Sequence, residues 1–170
     1  MQTVDITLTL TLTLTPRRHP LMPPNSPPTT RRAGQRAALR RLQRAQLADA
    51  RCIRQTVADA YTLTPALLRC PRRPRRPALL AEARQVAMYL MRLRLRWPLP
   101  AHTTAFPCAR IGRLLGGRDH ATVMHGVAVI AVRLVSGREE DASLRQMVRA
   151  LGATLDATYE ATGRRHGRAA

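Results

Sequence analysis

The chain contains no lysine: all 29 of its basic residues are arginine, set against 10 acidic ones. A Walker-type phosphate loop needs a lysine to reach the terminal phosphates, so these 170 residues cannot build an ATPase of that class. Aromatic residues are nearly absent too, at 3%, while hydrophobic residues make up 45%. A core must then be assembled from Leu, Val, Ile, Ala and Met, which suits a small helical bundle better than a sheet of aromatic cross-strand pairs. Cysteine is scarce and odd in number. Cys52, Cys70 and Cys108 stand far apart with no C-x-x-C pair, which argues against a zinc ribbon or a thioredoxin-type motif. Idle or buried thiols in a reducing compartment are expected, with no metal and no other cofactor.

What the chain has in excess is positive charge, a formal net +19. A field of that size points to a polyanion, either nucleic acid or an anionic membrane surface. Arginine supplies planar forks that match phosphates and guanine edges. A GC-rich coding sequence would also favour arginine, with no functional meaning. The membrane reading is the weaker one, because the basic stretch at residues 36–44 has no Trp or Phe anchor.

The first 30 residues differ from the rest. Residues 6–15 alternate Leu and Thr with the period of a half-buried strand, and residues 16–30 are dense in proline, as in a disordered linker. The alternating tract lacks the basic and apolar regions of a signal peptide and is too short and Thr-rich to span a membrane. Met22 offers an alternative start, so residues 1–30 are either a disordered segment or a gene-boundary artefact. Residues 31–50 read as a basic helical extension, with Arg36, Arg40, Arg41 and Arg44 facing outward, a pattern that fits a solvated helix face better than a dedicated DNA contact. The same helix continues to Tyr61 with an apolar stripe of Ile53, Val57, Ala60 and Tyr61. Thr64 and Pro65 look like the cap and first turn of a short helix over residues 66–69.

Pro71, Pro74 and Pro77 then exclude a regular helix and leave Arg69, Arg72, Arg73, Arg75 and Arg76 on a stiff, extended loop. Such a loop can lie along a phosphate backbone or enter a minor groove. A long helix is predicted over residues 78–96 with Leu79, Val86, Leu90 and Leu93 as core positions, followed by a loop over residues 97–107. A closing helix over residues 139–155, with Leu144, Met147, Val148 and Leu151 inward, precedes a basic tail at residues 156–170.

Residues 107–134 are the most informative. Pro107 suits the first turn of a helix whose apolar face is Ile111, Leu114 and Leu115. Gly116 and Gly117 can take the positive φ that closes that helix, and Asp119 then stands where an N-cap belongs. The next helix places Val123, Val127, Ile130 and Leu134 on one face, leaving Arg118, His120, Ala121, Thr122 and His125 on the other. This is the pattern of a helix-turn-helix, whose second helix meets base edges in the major groove. An Asp can accept from cytosine N4, a His can donate or accept, and an Ala or Thr methyl can pack on a thymine methyl. The same pattern also fits a plain helix pair in which Asp119 only caps and His120 is merely exposed.

Three ordered blocks then become specific: IRQTVADAYTLTPALL at residues 53–68, ARQVAMYL at 83–90 and IGRLLGGRDHATV at 111–123. Together they resemble the C-terminal DNA-binding domain of the bacterial chromosomal replication initiator DnaA, over residues 51–155. The spacing is kept except between Leu90 and Ile111, where this chain has a longer loop. The resemblance implies an all-α helical bundle with a helix-turn-helix that binds A·T-rich DnaA boxes in double-stranded DNA. It assigns base reading to Asp119, His120 and Ala121, the last replacing the family's usual Thr or Ser. It places an arginine of the basic loop in the minor groove, a role that ungapped counting gives to Arg76, with Arg75 beside it. Arg84, Gln85 and Arg118 fall at positions expected to hold phosphates or support the helix, and Thr122 and His125 flank the backbone.

The resulting expectation is a stand-alone, cytoplasmic and nucleoid-associated reader of DnaA-type sites, with no ATPase module, no catalytic residues, no small-molecule substrate and no membrane partner. Its rivals are a transcriptional regulator or mobile-element protein with another target sequence, and an arginine-rich chain that binds any polyanion. A nuclease is disfavoured because Asp119 and His120 lie on different sides of a helix and no second carboxylate is near enough to share a metal.

Overall fold

The computed structural model describes residues 30–70, 77–98 and 103–163. Six helices dominate: α1 (Thr30–Ala60), α2 (Pro65–Arg69), α3 (Pro77–Arg94), α4 (Cys108–Leu114), α5 (His120–Val135) and α6 (Ala142–Ala161), with a single 3-10 turn at Glu139–Asp141 before α6. The all-α class read from the sequence stands. The loop expected after α3 is not wholly irregular: β1 (Arg96–Pro98) pairs antiparallel with β2 (Thr103–Ala105), Trp97 opposite Thr104. Residues 1–29, 71–76, 99–102 and 164–170 lie outside the described residues.

The core is aliphatic, as the scarcity of aromatics requires. Ile53 and Val57 of α1, Leu68 of α2, Val86, Leu90 and Met91 of α3, Ile111 of α4, Leu115 just after it, Val123 and Ile130 of α5, and Leu151 and Leu155 of α6 are buried together. Each such side chain, removed from water, is worth about 1.5–3 kcal/mol. Two predicted core positions fall outside it. Leu93 is 49% exposed although it lies seven residues after the fully buried Val86 on nearly the same face; it stands in the last turn of α3. Ala60 is exposed in the last turn of α1, and Ala58 is buried in its place.

Helix ends follow local chemistry. Thr62, at φ 51, turns the chain out of α1 while the Leu63 amide donates to the Ala58 carbonyl at 2.8 Å. Pro65 opens α2 with Thr64 as its N-cap residue, and Pro107 is the residue before α4 rather than part of its first turn. The last helix runs past the predicted limit of Leu155 to Ala161, because Tyr159 lies one turn beyond Leu155 on the same face and is buried with it.

The central packing is α3 against α5. Gly126 lets them approach closely, since a Cβ there would come within 2.7 Å of Met88 Sδ. At the C-terminal end of α5, Arg133 ties three elements together. Its guanidinium donates to Glu82 of α3 at 2.7 Å and to Asp141 at 2.6 Å. Tyr61, just after α1, donates its hydroxyl to the other oxygen of Glu82 at 2.9 Å, and Ser136 donates to Asp141 at 2.8 Å. Burial, then the bond to Glu82, pushes the Tyr61 phenol up, so it remains a donor. Arg92 donates to the Phe106 carbonyl at 2.6 Å and so fastens the chain between β2 and α4.

Candidate nucleic-acid interface

The turn between α4 and α5 is built on one carbonyl. The amides of Leu115, Gly117 and Arg118 all donate to the Gly112 oxygen, at 3.1, 3.0 and 3.0 Å. That convergence needs Gly116 at φ 91 and Gly117 at φ 80, a region costly to residues with a Cβ. It also needs a bare backbone at Gly112, where a Cβ would stand 1.9 Å from the Arg118 carbonyl oxygen. Gly116 is equally constrained from the other side, since its Cβ would stand 1.9 Å from the Arg69 carbonyl oxygen. The end of α2 therefore lies directly against the turn.

Asp119 caps α5. Its Oδ1 accepts from the Thr122 amide at 2.6 Å, and its own backbone is extended at φ −69, ψ 164. The Thr122 amide chiefly, helped by the Thr122 side chain, the Ala121 amide and the His120 charge, holds the carboxyl below the ordinary carboxylate range. The cap is thus an anion at the positive end of a 16-residue helix. His120, Ala121, Thr122 and His125 are all exposed, while Val123 and Gly126 turn inward. Met124 joins that outer face at 58% exposure. It escaped the sequence reading because a methionine in an apolar helix passes for core, although it lies four residues after His120 and one before His125.

Arg84, Gln85, Arg118, Thr122 and His125 line one shallow hollow between α3 and the start of α5. Five residues predicted from separate parts of the sequence are thus brought to one place. Their roles divide. Arg84 is engaged inside the fold, its guanidinium donating to the carbonyls of Leu67 at 2.8 Å and Leu68 at 3.2 Å, and also to that of Cys70. It braces the C-terminal end of α2, and burial followed by the nearby Arg118 lowers its pKa. Arg118 is half-buried, and its Nε has no acceptor among the described residues. Arg75 and Arg76 lie outside the described residues, although the segment that carries them leaves from Cys70, on this brace, and returns at Pro77, where α3 begins.

One participant was not foreseen. Arg54 of α1 donates to the Leu114 carbonyl, the last residue of α4, at 2.7 Å. Burial chiefly, then the charges of Arg69 and Arg51, lowers its pKa. Those three arginines therefore gather beside the turn. Its only sequence signal was a charged residue next to Ile53 on an otherwise apolar stripe. Among the described residues no group of three His, Cys, Asp or Glu side chains could hold a metal ion, and no single helix is long and apolar enough to cross a membrane.

Residues 50–130 match the family model described as the bacterial dnaA protein helix-turn-helix. The chromosomal replication initiator protein DnaA of Leptothrix cholodnii is 38% identical over 104 residues, covering 61% of this chain and 17% of the initiator. The proteins of the same name from Burkholderia multivorans and Paraburkholderia phymatum are each 39% identical over 103 residues, with the same coverage. The similarity thus spans about a sixth of the length of these relatives.

Proposed function

We propose that this chain, whose residues 50–130 match the bacterial dnaA helix-turn-helix model, binds double-stranded DNA in a sequence-specific way at A·T-rich sites of DnaA-box type. The observation that carries this reading is the start of α5, where a rigid turn and an anionic cap hold His120, Ala121 and Met124 on one exposed face. Laid in a major groove, such a face puts Asp119 and His120 against base edges and the apolar Ala121 and Met124 against thymine methyls. Arg118, Gln85, Thr122 and His125 border it on the α3 side and contact phosphates, while Arg76, with Arg75, enters the adjacent minor groove. Arg84 acts indirectly, by keeping the start of that basic segment in place.

The 170 residues hold no lysine for an ATP-binding loop, so what they contribute is occupancy of sites, in the initiation of replication or its regulation, in the cytoplasm at the nucleoid. Fluorescence anisotropy with a DnaA-box duplex and a scrambled duplex, each across a salt series, tests this. A preference of about tenfold or more that survives physiological salt supports the reading. Equal affinities with one steep salt slope mean that arginine charge alone binds, and α5 is structural.

A second reading follows from Ala121, which offers only a methyl at an exposed reading position where the family's usual residue has a hydroxyl. The chain then acts as a transcriptional regulator or mobile-element protein with a different target. Selection of bound sites from random duplexes separates the two: enrichment of an unrelated motif replaces the box-binding reading.

A further inference from the structure

The charge on α1 runs along one face. Arg36, Arg40, Arg44, Arg51 and Arg54 recur at i, i+4, i+8, i+15 and i+18, which keeps them on one side of a 3.6-residue helix. Its lower end is at the helix-turn-helix, where Arg54 holds the Leu114 carbonyl and lies near Arg51 and Arg69. Its upper end is bare. Every side chain from Arg32 to Leu42 is exposed, and Arg32, Arg36, Arg40, Arg41 and Arg44 line one open groove.

This arrangement does not hold itself together. No Asp or Glu occurs between residues 30 and 48, and among the described residues no carboxylate pairs with these arginines. Arg32, Arg36, Arg40 and Arg44 are successive like-charge neighbours one turn apart, a spacing that weakens a helix. The first turns bury no core to compensate, and a polyanion laid along the stripe would neutralise that repulsion. From Arg36 to Arg54 the stripe is about 27 Å long, at about 1.5 Å per residue. With about 3.4 Å per base pair along B-DNA, that is roughly eight base pairs.

We propose that the arginine stripe of α1 is a second DNA-backbone contact, which grips the phosphates of the duplex flanking the site read by α5. This rests on the DNA-binding reading above, and it adds a surface and a direction to it. The flank on the α1 side is engaged through charge alone, without base recognition.

The test uses the full chain and the variant R36Q/R40Q/R44Q, since glutamine keeps helix propensity while removing charge. One duplex carries a box with about fifteen base pairs on each side, and the other is trimmed to the box. On the flanked duplex the variant is expected to bind more weakly, with a log K against log salt slope shallower by about 2.7, from about 0.9 per lost contact. On the trimmed duplex the two proteins should match, and the variant's preference for box over scrambled DNA should persist. Hydroxyl-radical protection should extend past the box on one side for the native chain and stop at the box for the variant. An unchanged slope on the flanked duplex overturns the proposal, as does an equal loss on both duplexes, which would mean undirected attraction. Loss of binding to phosphatidylserine vesicles with DNA binding intact would assign the stripe to lipid and overturn it as well. If the native chain shows no preference for the box at all, it is the reading of α5 that fails; a preserved preference with an unchanged slope sinks the stripe alone.

Discussion

The two ends of α5 use charge in opposite ways. At the C-terminal end Arg133 is shared between Glu82 and Asp141, with Tyr61 and Ser136 completing the set, so these three charges are partnered inside the protein. At the N-terminal end Asp119 accepts only from the first turn of its own helix, and Arg118 Nε is buried without an acceptor among the described residues. One end is complete as folded. The other is rigid in its backbone but unsaturated in its side chains, as expected of a surface that finishes its bonding on a ligand. Rigidity and saturation are separate properties, and it is their combination at the N-terminus that marks the site.

The sharpest way to break this contrast is to disturb the turn. Gly112→Ala forces a Cβ to within 1.9 Å of the Arg118 carbonyl, so the backbone must move. A stability loss of about 3–5 kcal/mol is expected in urea denaturation, together with loss of any box preference. Native-like stability would mean that the turn is looser than described. Next, Arg133→Met should destabilise the fold by about 1–3 kcal/mol, toward the low end because a third of the side chain reaches water. Affinity of the folded protein for DNA should not change, and a parallel loss of affinity would erase the distinction between the two ends. At the N-terminal end the expectation inverts. His120→Ala should leave the melting temperature near the native value and weaken box binding roughly tenfold while sparing scrambled DNA. Asp119→Asn, which still caps, should behave likewise, and equal weakening on both duplexes would demote these residues to structural ones. The smallest effect is in acid. The carboxyls of Asp119 and Asp141 lie below the ordinary value of 3.8, the first chiefly through the Thr122 amide and the second through Arg133. A depressed folded value stabilises above the unfolded pKa and is lost as the pH falls through the folded one. Stability should therefore be flat above about pH 5 and fall below about pH 4, and Asp141→Asn should flatten that fall, as followed by circular dichroism.

The N-terminal end of α5 was more legible in the sequence than the C-terminal end, and for a physical reason. Capping and turn chemistry are local: the Gly116-Gly117 pair, the Asp119 cap and the inward Val123 and Ile130 all lie within a few turns of chain, and the structure places them as read. The Arg133 cluster joins residues up to 80 positions apart, from Tyr61 to Asp141, and no spacing rule announces it. The division of the arginines was hidden for the same reason. Arg54, Arg84 and Arg118 look alike in sequence, and only the path of the chain decides that the first two fasten carbonyls of Leu114, Leu67 and Leu68. The helix stripes were right in period but failed at helix ends, as Leu93 and Ala60 illustrate, because a periodic pattern does not say where the neighbouring element stops.

The brace made by Arg84 sets a limit on reach. Cys70 is held to α3 by that guanidinium, and Pro77 is the first residue of α3, so the basic segment between them is tethered at both ends to the helix that packs against α5. Seven peptide links of at most about 3.6 Å, out and back, carry its tip no more than about 13 Å from its anchors. Two grooves of one duplex can be touched together only if they fall within that compass. On the proposed two-groove contact, the protein should behave as a pair of calipers: a changed number of base pairs between the two contacts should weaken binding more than one changed base.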